Sequence, residues 1–140
     1  METLATGLKL PSGVAVGADG TCYVAESDGG RIVKIKAGQS ETVVDGLAQP
    51  QGILVNNGVL YVVDVRAKEL VAIDLATKQH SVVATHLAVG VPPGVTPKFL
   101  GSIGDMAGPM GAFAGIAAAP DGTLYISGDA EGSVLALTPA

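Results

Sequence analysis

One ten-residue stretch returns in similar form. Glu2-Thr3-Leu4-Ala5-Thr6-Gly7-Leu8-Lys9-Leu10-Pro11 is matched, 39 residues on, by Glu41-Thr42-Val43-Val44-Asp45-Gly46-Leu47-Ala48-Gln49-Pro50. The match continues: Ser12-Gly13-Val14-Ala15-Val16 parallels Gln51-Gly52-Ile53-Leu54-Val55, and a third copy reads Ala114-Gly115-Ile116-Ala117-Ala118. Self-similarity at such a period confines a chain to architectures built from repeated units that bury their faces against one another.

Within each copy the chain turns and returns. Asp19-Gly20, Asn57-Gly58 and Asp121-Gly122 are hairpin signals, since Gly and Asn accept the positive φ that tight turns need. They lead into Cys22-Tyr23-Val24, Leu60-Tyr61-Val62 and Leu124-Tyr125-Ile126, and a third strand follows at Arg31–Ile35, Glu69–Ile73 and Ser133–Leu137. A fourth follows only twice, at Glu41–Val44 and Ser81–Thr85. Four short strands per repeat of about 39 residues is the pattern of a β-propeller blade.

The expected fold is therefore all-β. One half-propeller domain, 1–140, has blade 1 at about 11–45, blade 2 at about 50–86, an insertion at 88–111, and blade 3 at about 113–138. Strand 2–6 completes the last blade, which makes three four-stranded antiparallel blades. Three blades leave faces and edges open, so closure to six as a homodimer is expected, through blade edges and exchange of the N-terminal strand. The chain read as the C-terminal half of a longer six-bladed propeller is the alternative.

Composition supports many short strands and tight turns. Gly and Pro are 28 of 140 residues, aromatics are 4%, and charged residues are 15%. The net charge of −5 argues against nucleic acid and anionic membranes as partners. No export or membrane-spanning segment is read, which gives a soluble, cytoplasmic expectation for the chain as it stands. Cys22 is the single cysteine and reads as a small buried hydrophobe on a second strand.

The pattern Pro-x-Gly-Ile/Val, Asp-Gly-x-x-Tyr-Val, Arg-Ile resembles the NHL repeat. It is also similar to blades of the gluconolactonase, senescence-marker and luciferin-regenerating superfamily of six-bladed propellers. The resemblance covers nearly all of the chain outside 88–112. It implies a propeller, and for the lactonases a divalent cation held at the channel mouth by acidic and Asn side chains near the starts of the first strands. This chain has Ser12, Gln51 and Ala114 just before the glycines of those strands, and none is a carboxylate. The resemblance also implies lyases that rely on histidines. Here only His80 and His86 occur, both near fourth strands.

Glu26 and Asp64 end the second strands, on the face that carries Ser12 and Gln51. Acids there either bind a cation such as calcium or act in proton transfer, or they staple neighbouring backbone, with Arg31 placed to pair with Glu26. The loop acids Asp28, Asp129 and Glu131 read as turn chemistry or as part of an oxygen cage. The third copy breaks the period: Gly13 to Gly52 is 39 residues, and Gly52 to Gly115 is 63. The apolar excess emerges on the same face, where it either plugs the ring or forms dimer interface, or else lines a pocket with Phe99, Asp105, Met106 and Met110 as its candidate ligand contacts.

The expectation is a non-catalytic binding or protein-interaction propeller with a small-molecule ligand at Ser12, Gln51, Glu26, Asp64, Phe99, Asp105, Met106 and Met110. No cofactor and no metal are expected, Glu26 and Asp64 being the weak metal candidates. The alternative activity is a metal-dependent, lactonase-like hydrolase with an atypical site.

Overall fold

A computed structural model of the protein describes residues 1–91 and 114–139. Its eleven strands are β1 Pro11–Val16, β2 Cys22–Glu26, β3 Arg31–Lys36, β4 Gln39–Val44, β5 Pro50–Asn56, β6 Val59–Asp64, β7 Glu69–Asp74, β8 His80–Ala84, β9 Ile116–Ala118, β10 Leu124–Gly128 and β11 Ser133–Leu137. They form three antiparallel meanders, ordered β1-β2-β3-β4, β5-β6-β7-β8 and β9-β10-β11. Each is one blade. Among the described residues no helix is long and apolar enough to cross a membrane.

The three hairpin signals close two kinds of turn. Asn57 (φ 49°) and Gly58 (φ 77°) are both left-handed and join β5 to β6 directly. Two positive φ values match the twist of the strands they connect. Asp19-Gly20 and Asp121-Gly122 sit in five-residue links, Gly17–Thr21 and Ala119–Thr123. There Gly17 N donates to Thr21 O and Ala119 N to Thr123 O, each at 2.9 Å. The aspartates cap the links: Thr21 N donates to Asp19 Oδ1 at 3.1 Å, and Thr123 N to Asp121 Oδ1 at 2.9 Å.

Blades pack through alternate residues of their strands, as the period of two requires. Tyr23, Ala25 and Ile32 of blade 1 face Ile53, Leu60, Val62, Val71 and Ile73 of blade 2. On its other face, blade 2 sets Val63 and Leu70 against Leu124 and Ile126 of blade 3. Each such fully buried aliphatic side chain contributes roughly 1.5–3 kcal/mol relative to exposure. Blade 2 is thus sandwiched, whereas blades 1 and 3 each keep one face uncovered by a blade.

The third sheet has three strands, and residues 2–6 form no strand within the chain. A single strand without a sheet edge to pair with does not hold an extended ladder. The expected insertion contacts Phe99, Asp105, Met106 and Met110 lie outside the described residues.

Candidate functional site

The strands β1, β5 and β9 run side by side, and their first residues line a cavity of about 410 Å³. Ser12, Gln51, Ser127 and the backbone of Gly13, Gly52 and Gly115 supply its polar surface, while Val14, Ile53 and Ile116 supply the apolar wall. The glycines allow this convergence. A Cβ on Gly13 would lie 2.0 Å from Gln51 O, and one on Gly52 would lie 2.3 Å from Ala114 O. Only a residue without a side chain lets these backbones approach so closely.

The polar groups are oriented by their own partners. Ser27 Oγ donates to Pro50 O at 2.6 Å and lies 2.7 Å from Ser12 Oγ. Ser12 Oγ also lies 3.2 Å from Pro50 O, so the two serine protons serve Pro50 O and the serine pair, and Ser12 keeps a lone pair for the cavity. Gln51 Oε1 accepts from Ala114 N at 3.2 Å, which sets the amide so that Nε2 carries the free donors. Gly115 N donates to Ser127 Oγ at 2.7 Å.

Glu26 and Asp64 are placed differently from these residues. Neither lines the cavity. Glu26 is completely buried, its Oε1 accepts from Lys9 N at 2.6 Å, and its Oε2 accepts from Arg31 Nε. Burial pushes the Glu26 carboxyl up, but the Arg31 hydrogen bond, the Lys9 amide and the Arg31 charge together outweigh it and hold its pKa below the ordinary value. Asp64 takes three backbone donors: Ala48 N at 2.7 Å, Gln49 N at 2.9 Å and Ala67 N at 3.1 Å. Both acids therefore tie the chain entering a first strand to the end of the second strand. In the third blade Gly128 holds the equivalent place, and the next residue, Asp129, accepts from Gly90 N at 2.9 Å.

Among the described residues, no three His, Cys, Asp or Glu side chains come together as a metal site. His80 and His86 are exposed on and just beyond β8, and His86 Nδ1 pairs with Thr85 Oγ1 at 2.9 Å. Cys22 is partly exposed rather than buried. Its side is the free face of blade 1, where no neighbouring blade covers it.

Sequence reasoning passed over Ser27 and Ser127. The signal was available for Ser127, which stands where the other blades have Ala25 and Val63. A hydroxyl at an otherwise apolar repeat position marks a local polar task. Ser27 gave no such contrast, because it sits among loop residues.

A set of antiparallel meanders arrayed around the starts of their first strands defines this chain as β-propeller blades. No protein-family model and no curated protein sequence matches it. The solved structures it resembles are β-propellers. A PQQ-bound aldose sugar dehydrogenase from Streptomyces coelicolor superposes with a TM-score of 0.65 at 18% identity, over 99% of this chain and 47% of its own. A gluconolactonase from Xanthomonas campestris gives 0.60 at 16%, over 89% and 36%. Virginiamycin B lyase from Staphylococcus aureus gives 0.59 at 14%, over 94% and 42%. The chain spans less than half the length of each, and the likeness is one of fold.

Proposed function

We propose that this chain is a non-catalytic, ligand-binding propeller segment whose site is the cavity at the starts of β1, β5 and β9. One observation carries the reading: every described group that lines the cavity is neutral. General acid–base chemistry needs a titratable side chain within hydrogen-bond reach of the reacting atom, and the described lining offers none. It offers a hydroxyl acceptor at Ser12, amide donors at Gln51 and an aliphatic wall. That combination suits a small uncharged molecule bearing hydroxyl or amide groups.

The hydrolase reading needs carboxylates at the channel mouth to hold a cation. The two candidates, Glu26 and Asp64, are instead committed to backbone amides and to Arg31. The neutral-cavity reading is tested with a panel of polyols, sugars and lactones, followed by calorimetric titration. A binder should lose at least tenfold in affinity when Gln51 becomes Leu, because each hydrogen bond lost there is worth about 1.4 kcal/mol or more. Turnover of any lactone in the panel that persists in chelator, or that requires added metal, overturns the non-catalytic assignment.

A further inference from the structure

Blade 1 and blade 3 each expose apolar side chains at positions that the repeat elsewhere buries, although Val24 and Val33 on the same face of blade 1 are buried within the chain. On blade 1, Val14 is 64% exposed and occupies the place of Ile53, which is 7% exposed between blades. Cys22, partly exposed, occupies the place of the buried Leu60 and Leu124. On blade 3, Val134 is 72% exposed, while its counterparts Ile32 and Leu70 are both fully buried. Tyr125 is likewise 43% exposed against 7% for Tyr23. The blade 1 residues belong to the face that meets a preceding blade. The blade 3 residues belong to the face that meets a following one.

Three backbone relationships point the same way. Gly13 meets Gln51 O and Gly52 meets Ala114 O, but the third glycine, Gly115, is exposed and among the described residues has only Ser127 Oγ near its Cβ position, at 3.6 Å. The carbonyl that the repeat sets against it is that of Ser12, at the start of blade 1. Leu47 N donates to Gly30 O at 2.9 Å and Leu87 N to Lys68 O at 3.0 Å. By position, the third pair of this series is Leu8 N with Gly132 O. Finally, β4 and β8 cover the outer edges of β3 and β7, while β11 has no fourth strand among the described residues. Residues 2–6 repeat the sequence of β4 and pair with nothing.

We infer that the occupant of both faces is a second copy of this chain, related by a twofold axis, so that two chains close one six-bladed ring. Val134 and Tyr125 then pack on the partner's Val14 and the partner's Cys22. Gly115 lies against the carbonyl of the partner's Ser12, and residues 2–6 add to the partner's β11 as its fourth strand. With the Ile32–Val44 and Lys34–Glu41 pairs as template, the partner's Val134 pairs with Ala5 and the partner's Ala136 with Glu2. A twofold ring uses each face once and leaves no edge open, which a head-to-tail array of blades does not. The cavity then becomes a channel lined by two copies of Ser12, Gln51 and Ser127.

The test is mass in solution by light scattering over a hundredfold range of concentration, with no ligand present. A ring gives about 28 kDa, twice the 13.9 kDa of one chain. Gly115→Ala and Val134→Lys alter positions that are open within the chain, so each should halve the mass while the β-sheet circular dichroism is retained. Native alkylation of Cys22 should be slow in the parent and fast in both variants. A folded 13.9 kDa parent overturns the inference, as would a ladder of larger masses or a parent mass unchanged by both substitutions. Because the measurement needs no ligand, its failure leaves the neutral-cavity reading to be judged by titration alone.

Discussion

Gly13 lies so close to Gln51 that the carbonyl oxygen of Gln51 occupies the space, 2.0 Å away, of any side chain at Gly13. The same relation, at 2.3 Å, joins Gly52 to Ala114. These contacts set the spacing of the first strands and hence the width of the cavity. Backbone cannot yield as a flexible side chain can. Gly13→Ala and Gly52→Ala should therefore each lower unfolding free energy by about 1–3 kcal/mol, read as a lower urea midpoint at unchanged slope. Gly115→Ala meets no backbone among the described residues, and its effect should appear in association instead. Equal loss of stability in all three variants at the same concentration would contradict this account of the glycines.

Asp64 is buried and accepts from three backbone amides, two of which, Ala48 and Ala67, belong to exposed residues. Replacing it with Ala leaves Ala48, Gln49 and Ala67 without an acceptor in a site where the residue is 2% exposed. The amides of exposed Ala48 and Ala67 can turn to water, so Asp64→Ala should lose about 2 kcal/mol, and Asp64→Asn, which keeps one acceptor, roughly half of that. A residue poised for a ligand behaves in the opposite way, since its removal leaves stability unchanged or raises it. Chemical denaturation of the two variants separates these roles without any knowledge of a ligand.

How far the sequence disclosed the fold can be judged at such residues. The 39-residue repeat located all three sheets and their strand order, because hydrophobic alternation and turn residues are local signals. It placed Glu26 and Asp64 correctly at the ends of β2 and β6. It left open which way the carboxylates are used, since that depends on the amides of Lys9, Ala48 and Gln49, about 16 residues upstream. The turns show the same limit. Asn57-Gly58 and Asp19-Gly20 look alike as dipeptides, but the register of the strands makes one a two-residue link and the other part of a five-residue one. Residues 2–6 carry the sequence of a strand and still form none, because they adjoin blade 1 while the uncovered edge of β11 belongs to blade 3.

Acid should weaken the fold through Glu26. Its folded pKa lies below the ordinary 4.5, so the ionised form is favoured by folding. That contribution is complete above pH 4.5 and is lost as pH falls through the lower folded value. Glu26→Gln keeps the size but removes the charge, and should cost about 1–2 kcal/mol at pH 7. The parent and the variant should then converge as pH is lowered from about 5 towards 3. Asp19, Asp74 and Asp121 also have pKa values held down by their turn hydrogen bonds, but they are common to both proteins and cancel in the comparison. Parallel stability curves across this range would show that Glu26 carries no such linkage.

A divalent cation should leave this protein's melting temperature where it is. Binding to the native state raises stability by RT ln(1 + [L]/Kd), so a site with Kd near 10 µM would add about 2.7 kcal/mol at 1 mM calcium. For a chain of this length, that is a rise of several degrees. The described acids do not assemble such a site: Glu26 and Asp64 have their oxygens directed at amides and Arg31, and no cluster of three ligating side chains forms. The expected outcome is a shift below about 1 °C between 1 mM calcium and excess chelator, measured by calorimetry on the same preparation. A rise of several degrees would revive the metal-dependent hydrolase. Its loss on Asp105→Asn would then trace the site to the insertion, and its persistence would return attention to the acids at the ends of β2 and β6.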